Sequence, residues 1–486
     1  MLLIATLTLI SALSAGHLVN ANSSSVIFVC ERIADTISSA SSVYYPSSPN
    51  YEADIYHYAN SSTQNSVCSV EPGTPEDVGV ILQILGASRT PFAVKGGGHI
   101  MNPGYSSTPG VQIAMTRFND VDYDASTGTV AIGAGLVWDD VYAALEDFDV
   151  NVVGGRVSGI GVAGLTLGGG YSWLTNQYGL TLDNVQAYQL VLPNSSVINV
   201  TEASNPDLFF GLKGGYNNFG IVTTFTLKTF PQGQVWGGQL VILGQYIDQV
   251  NLATANFAAN VTDPKAALIT TIDYTGGQIL ASVIMFYDAP TPPSGIFDDF
   301  LTIPNVEEDV STRSYLSLVQ VESTQTSANK RGYYNTVSLR DITYSIMQAV
   351  TNQAEYWGAK MLSAGEAIIS YDVEPFLQTI LTHGSPSAYP STRSQRYLPL
   401  NLYFSWTNSS ADEAFYDAIL ESATNLTETA VIEGQADVAT APLYPNYAIY
   451  GTSTGRIYGA SLGTLTVLKA IYDPENVMGL AGGWKV

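Results

Sequence analysis

Charge, cysteine and histidine are all scarce in this chain of 486 residues, and each shortage removes a class of function. Only 12% of the residues are charged, and 18 Lys plus Arg face 42 Asp plus Glu, for a net charge of −24. Such a field repels phosphate backbones, so neither nucleic acid nor an anionic membrane surface is an expected partner. With 4 histidines and 2 cysteines, no two side chains stand at metal-ligand spacing, and no metal is expected. No segment runs to about 18 uninterrupted apolar residues, the length a membrane span needs. Internal repeats and low-complexity linkers are absent as well.

What is present is a foldable chain. Hydrophobic residues reach 46%, which excludes disorder, and the length suggests about two or three folding units. Glycine (44) and tyrosine (30) are abundant, and tyrosine outnumbers phenylalanine (16). Aromatic faces with a polar tip suit the handling of sugars or phenols. The apolar stretch Leu2–Ala15 is too short to span a membrane, and Val19-Asn20-Ala21 offers a small-residue cleavage site. Residues 1–21 therefore read as a secretory leader, although no Lys or Arg precedes the apolar run; an N-terminal buried helix is the alternative. Asn-x-Ser/Thr sequons at Asn22, Asn60, Asn194, Asn199, Asn260, Asn408 and Asn425 agree with a secreted, extracellular glycoprotein. In an oxidising compartment Cys30 and Cys68 form one disulfide; two free buried thiols are the other option. The acidic surface and the glycans favour a monomer.

Along the chain, 22–68 reads as an N-terminal segment and 69–232 as a glycine-rich α+β domain. Pro91–Lys95, Val111–Met115, Thr129–Gly133 and Ile221–Thr229 read as strands, and Ala187–Leu192 with Val197–Val200 as a hairpin. Val137–Phe148 has the helical period, and Asn205-Pro206 opens a short helix over Asp207–Leu212. In 233–440, strands such as Val235–Leu243 and Ala281–Tyr287 alternate with helical runs at Ile342–Met361 and Ala411–Leu426, as in an antiparallel sheet covered by helices. The segment 441–486 carries a last helix near Leu462–Tyr472.

Two motif matches fail. Gly451-Thr452-Ser453-Thr454-Gly455 fits a nucleophile elbow, but the required later histidine is missing, since the last one is His383. Gly159-x-Gly161-x-x-Gly164 fits a dinucleotide fingerprint, but the run Gly168-Gly169-Gly170 that follows is a poor continuation for the helix such a turn needs. What remains is an ordered pair of glycine clusters. Val94-Lys95-Gly96-Gly97-Gly98-His99 follows a strand and leads to Asn102-Pro103-Gly104-Tyr105-Ser106; Gly133-Ala134-Gly135 and a helix intervene before Gly154-Gly155-Arg156 through Gly170, Tyr178-Gly179-Leu180 and Asp183-Asn184-Val185. Glycines let backbone N–H groups converge on an anion such as pyrophosphate without charged side chains.

These clusters, with Tyr472-Asp473-Pro474-Glu475-Asn476-Val477-Met478 and the terminal Gly482-Gly483-Trp484-Lys485, resemble the vanillyl-alcohol-oxidase superfamily of flavoproteins. The likeness is to the berberine-bridge-enzyme-like branch and its secreted fungal members, and it covers nearly all of the chain beyond the leader. It implies a two-lobed FAD-binding domain of the PCMH type, a substrate domain, and a C-terminal segment that returns to the FAD domain. The FAD would be held by Lys95, Gly96, Gly97, Gly98, His99, Asn102, Gly104, Tyr105, Ser106, Gly135, Gly155, Gly161, Gly164, Leu165, Thr166, Gly169, Gly170, Asn184, Gly220, Ile221 and Val222. By the same resemblance His99 bonds covalently to the flavin. A second tether, a cysteine in many relatives, matches Val157 here, so attachment through His99 alone is expected. Met101 stands where plant relatives often have Tyr. Ile160 stands at the position that gates oxygen, where Val goes with oxidases and Leu with dehydrogenases. The family's base is a Tyr or an acid facing the flavin. Tyr447, in Pro445-Asn446-Tyr447, matches its C-terminal Asn-Tyr motif and Tyr171 a Tyr beside the second glycine cluster, so these two are the catalytic candidates, with plain aromatic packing the alternative for either. A free tyrosine titrates near pH 10, so the base needs help, for which Lys95 and Arg396 are the candidate cations. The expected activity is oxidation of an alcohol (a sugar at its anomeric hydroxyl, an aryl alcohol or a secondary metabolite), with oxygen as acceptor and hydrogen peroxide as product. A natural-product cyclase and a catalytically idle flavin-holding surface protein are the two other classes that fit.

Overall fold

The computed structural model describes residues 23–321 and 329–486; the proposed leader and the Asn22 sequon lie outside them. The chain begins with a helix, Ser23–Thr36, that a Cys30–Cys68 disulfide ties to the body, with the Cα atoms 6.3 Å apart. Cys68 opens the strand Cys68–Glu71, which joins a small sheet with Ser42–Tyr44, Val111–Ala114 and Phe92–Lys95. Its last three strands run parallel, with Val111–Ala114 in the middle. The crossover helix Pro75–Ser88 starts where its sequence says it should: Thr74 Oγ1 accepts from the Asp77 N–H, and proline occupies the first turn.

A second, five-stranded antiparallel sheet has the order Val121–Asp124, Thr129–Gly133, Ile221–Lys228, Val185–Val191, Val197–Val200. The hairpin expected around Pro193–Ser196 is there, with Val191 paired to Val197. Its first strand starts two residues earlier than the sequence pattern indicated, at Val185.

The third sheet has seven strands, in the order Glu307–Arg313, Val235–Leu243, Gln278–Tyr287, Ala266–Thr275, Ile368–Val373, Leu398–Trp406, Arg331–Leu339. All its pairings are antiparallel. Ala281–Tyr287 proves to be the end of a longer strand, because Gly276-Gly277, with φ of 58° and 82°, closes a two-residue hairpin that pairs Thr275 with Gln278. The helices Ile247–Asn260, Tyr344–Met361 and Asp412–Ile432 belong with this sheet in one apolar core. The helix expected from Ile342 starts at Tyr344, where Thr343 caps it by accepting from the Ile346 N–H.

The last stretch of chain packs on the small sheets. Ala481 bridges to Phe92, and Asn218 donates to the Trp484 carbonyl at 2.8 Å. Asp473, in the Tyr-Asp-Pro segment, accepts from the Lys469 ammonium at 2.7 Å and from the N–H groups of Val477 and Met478 at 2.8 Å. One expectation needs correction. A short helix does form over Val162–Leu167 and contains Gly164; the triple glycine ends it at Gly168 rather than preventing it. It follows a loop rather than a strand of the parallel sheet, so the Rossmann reading still fails.

Candidate flavin and substrate cavity

A cavity of about 660 Å³ lies where the two small sheets meet the uncovered face of the seven-stranded one. One wall is backbone. Gly96-Gly97-Gly98 follows the strand Phe92–Lys95 and abuts the second glycine cluster so closely that a β-carbon on Gly97 would sit 2.6 Å from Gly161 Cα. Antiparallel bridging of Val137 to Gly161 and a Trp138 N–H bond to the Ile160 carbonyl at 3.0 Å fix the second cluster to the start of the helix Trp138–Glu146. The anticipated residues Gly96, Gly97, Gly98, His99, Tyr105, Ser106, Gly161, Gly164, Leu165, Ile221, Val222, Tyr171 and Tyr447 all line the cavity, as do Val157 and Ile160.

The other anticipated residues stand behind that surface and support it. Lys95 donates to the carbonyls of Ala53 (2.7 Å) and Asp54 (3.0 Å), and burial lowers its pKa to about 8. Asn102 ties Ala448 and Tyr450 to the wall through bonds of 2.9 Å. Asn184 holds the carbonyls of Tyr178 and Leu180. Gly135, Gly155 and Gly220 leave no room for a β-carbon against Met115, Trp138 and Val191 respectively. Gly169 and Gly170 make the turn behind Tyr444, whose hydroxyl accepts from the Gly170 N–H. Gly104 packs its carbonyl against Gly482, and Thr166 bonds its own helix at Val162. Met101 is buried under Gly332.

His99 sits at the end of the backbone wall. Its ring stacks on Tyr58 at 4.1 Å and 13°, and its Nε2 is buried with no hydrogen-bond partner among the described residues. Burial lowers its pKa to about 4, so the imidazole is neutral and nucleophilic at ordinary pH.

The opposite wall is side chain. Tyr447 donates to Glu374 Oε1 at 2.9 Å and accepts from Arg156 Nη2 at 3.0 Å; the same guanidinium nitrogen stands 2.8 Å from Glu374 Oε2. Arg156 and Glu374 are both buried. Burial holds the Tyr447 phenol well above its ordinary value, Glu374 adds to that, and Arg156 opposes it, so the phenol is neutral. Burial likewise raises Glu374 above the usual carboxylate range, against the pull of Arg156. Burial disfavours the Arg156 charge, but Glu374 and then Tyr447 more than restore it. Beside them Asp372, raised by burial, accepts from Thr271 (2.8 Å) and Asn401 (2.9 Å).

The cation at Tyr447 is therefore Arg156, and neither expected helper reaches it. Lys95 is spent on backbone carbonyls, and Arg396 donates to the carbonyls of Phe376 (2.5 Å) and Arg340 (2.7 Å). Tyr171 is buried, stacks on Phe376 at 4.8 Å and donates to the Tyr397 carbonyl at 3.4 Å; it meets Tyr447 only through Tyr444. Sequence reading missed Arg156 as a partner, and Glu374 and Tyr58 altogether. A lone arginine inside a glycine cluster was the available signal for the first; the other two carry none.

A wall of glycine backbone and a neutral imidazole whose Nε2 is unpartnered among the described residues fit an FAD: the glycine N–H groups would meet its pyrophosphate and His99 its ring. Fold and cavity thus define an FAD-dependent oxidoreductase. The family model for an FAD binding domain matches residues 67–201. An uncharacterized FAD-linked oxidoreductase of Arthroderma benhamiae is 31% identical over 429 residues, covering 82% of this chain and 83% of that one. An FAD-dependent monooxygenase of Aspergillus calidoustus is 32% identical over 454 residues, covering 90% and 86%. Among solved structures, a chitooligosaccharide oxidase superposes with a TM-score of 0.75 at 18% identity over 95% of this chain and 100% of that one. The glucooligosaccharide oxidase of Acremonium strictum, described as carrying a 6-S-cysteinyl, 8α-N1-histidyl FAD, gives 0.73 at 19% over 93% and 97%. The chain belongs to the FAD-linked oxidoreductases, and its fold is the one shared by the chitooligosaccharide and glucooligosaccharide oxidases.

Proposed function

We propose that the protein oxidises an alcohol whose hydroxyl meets Tyr447, with FAD attached through His99 alone and oxygen as the electron acceptor, giving hydrogen peroxide. The observation that carries this reading is the Arg156–Tyr447–Glu374 cluster in the wall that faces the glycine clusters and His99. Bound flavin supplies the hydride acceptor. The phenol oxygen of Tyr447 takes the substrate's hydroxyl proton while its own proton passes to Glu374 Oε1, 2.9 Å away. Arg156 orients the phenol and compensates negative charge on it during the transfer. Because burial keeps the phenol neutral, it acts as a relay and Glu374 as the final base. Tyr171 shapes the wall beside them.

Single attachment rests on Val157, which lines the cavity where many relatives carry a cysteine. Eight tyrosines line the cavity, together with Asp372, Asn401 and Gln239, a surface suited to a hydroxyl-rich or phenolic substrate. Secretion is supported by the apolar leader. Asn60, Asn194, Asn199, Asn260 and Asn408 are exposed and Asn425 half-buried, so each is a candidate for a glycan on a monomeric, extracellular protein.

Anaerobic mixing with sugars and aryl alcohols tests the reading. Bleaching of the yellow band by one of them, and peroxide on readmitting air, is expected; bleaching by none would overturn it. The names of the sequence relatives favour a second reading, in which oxygen is inserted into the product. Isotopically labelled oxygen separates the two, since an alcohol oxidase leaves no label in the oxidised product.

A further inference from the structure

A second cavity, of about 420 Å³, opens between the helix Ile247–Asn260 and the segments that hold Phe376 and Leu398. Leu252, Ala255, Ile342, Phe376 and Leu398 make most of it apolar, and Arg396 is its cation. That arginine is only 6% exposed. It spends two donors on backbone carbonyls, and its Nε has no hydrogen-bond partner among the described residues. The carboxylate of Asp341 stands 3.8 Å away, beyond hydrogen-bond reach, on a side chain that is 64% exposed.

A guanidinium in this position is costly to the fold. Its charge is removed from water, its planar fork is incompletely used, and its counter-ion is distant and solvated. Burial lowers its pKa to about 10, the same cost expressed as acidity. An apolar body that brings its own carboxylate would bring a counter-charge to the guanidinium and cover the surrounding methyl groups together. A neutral ligand would do only the second.

We propose that this cavity binds a small monocarboxylate with an apolar body, an aliphatic or aryl acid, its carboxylate on Arg396 and its body against Leu252, Ala255 and Leu398. The site is separate from the flavin cavity but touches it through one side chain. Phe376 lines the second cavity, while its ring stacks on Tyr171 at 4.8 Å and lies beneath the Arg156 guanidinium at 5.5 Å.

The test is calorimetric titration of the flavin-loaded protein with sodium benzoate, with benzamide as the uncharged isostere. Binding is read directly, so the result stands whether or not an alcohol is the substrate. Benzoate is expected to bind saturably, and benzamide about tenfold or more weakly, the worth of one charge-assisted contact. Arg396→Met abolishes binding. Because that change could also disturb the fold, Ala255→Phe provides a second arm: it fills the cavity from the helix, leaves every Arg396 bond in place, and also abolishes binding. Asp341→Asn removes the competing carboxylate and tightens it. No saturable benzoate binding, undiminished binding in Ala255→Phe, equal binding of benzamide, or no gain in Asp341→Asn would each overturn the proposal.

Discussion

The two walls of the large cavity are made of different material. On one side the surface is main chain: Gly96 to Gly98, Gly161 and Gly164 offer N–H groups and no side chains, and the nearest ammonium, that of Lys95, is turned away to carbonyls. On the other side the surface is side chain: Asp372, Glu374, Asn401 and Tyr447 project from the seven-stranded sheet and the loops at its edge, and Arg156 reaches them from the second glycine cluster. Backbone donors are fixed and uncharged, which suits holding a large polar cofactor in a protein of net charge −24. Proton transfer needs groups that change charge; the carboxylates and Tyr447 stand on the second wall, while His99 is the titratable group at the end of the first. On the proposed reading the difference divides the labour: one wall retains, the other reacts.

The largest effect should come from disturbing the first wall at its tightest point. In Gly97→Val a β-carbon would meet Gly161 Cα at 2.6 Å, backbone against backbone, with no flexible side chain to yield. Overpacking of this kind costs about 1–3 kcal/mol and here separates the two clusters. The expected outcome is a folded but colourless protein with a lowered melting temperature, read by the flavin-to-protein absorbance ratio and a thermal scan. Normal flavin content would mean that the close approach is not what shapes the wall.

Breaking the second wall should spare the cofactor and stop the chemistry. Tyr447→Phe removes one hydroxyl from between Arg156 and Glu374, and anaerobic flavin reduction is expected to slow about 10²–10⁴-fold, the usual worth of a positioned proton acceptor. Flavin content should match the parent. Reduction at the parent rate would take the tyrosine out of the proton path.

The acidity of Glu374 sharpens the same contrast. Burial raises its pKa, and the relay requires the ionised form. The rate is therefore full above that raised pKa and falls as pH drops through it, higher than the roughly 4.3 of a free glutamate. A pH profile of flavin reduction should show one acidic limb, and Glu374→Gln should be slow and lack it. An unchanged limb in Glu374→Gln would assign it to another acid, with Asp372 next in line.

The contrast between the walls also explains what was legible beforehand. A wall of main chain is written contiguously, as Gly-Gly-Gly-His and the cluster before Tyr171, so its residues could be read off and counted. Strand Val235–Leu243 and helix Leu462–Tyr472 were equally plain, since period and caps are local signals. The reactive wall is assembled from positions 156, 374 and 447, which share no sequence neighbourhood and meet only once the seven-stranded sheet has formed. Hence the tyrosine was found through its motif while its partners were not, and two other cations were nominated for them. Lys95 and Arg396 fail for one reason: each is buried beside backbone carbonyls that claim its donors first.

The smallest effect on rate, and the sharpest on attachment, should follow from His99→Ala. The backbone wall is untouched by this change, because Gly96 to Gly98 and Gly161 make their contacts without the imidazole. The cofactor should therefore still bind, and the Arg156–Tyr447–Glu374 cluster across the cavity should still accept a proton, so turnover falls by less than in Tyr447→Phe. What disappears is the bond. Acid precipitation should leave the parent pellet yellow and the His99→Ala pellet white, with free FAD in the supernatant. Flavin mass on a parent peptide lacking His99 would contradict single attachment, since Val157 offers no nucleophile where a second tether would stand. If His99→Ala instead purified colourless, with the fold intact, the division of labour would be wrong: retention would belong to the imidazole and not to the glycines.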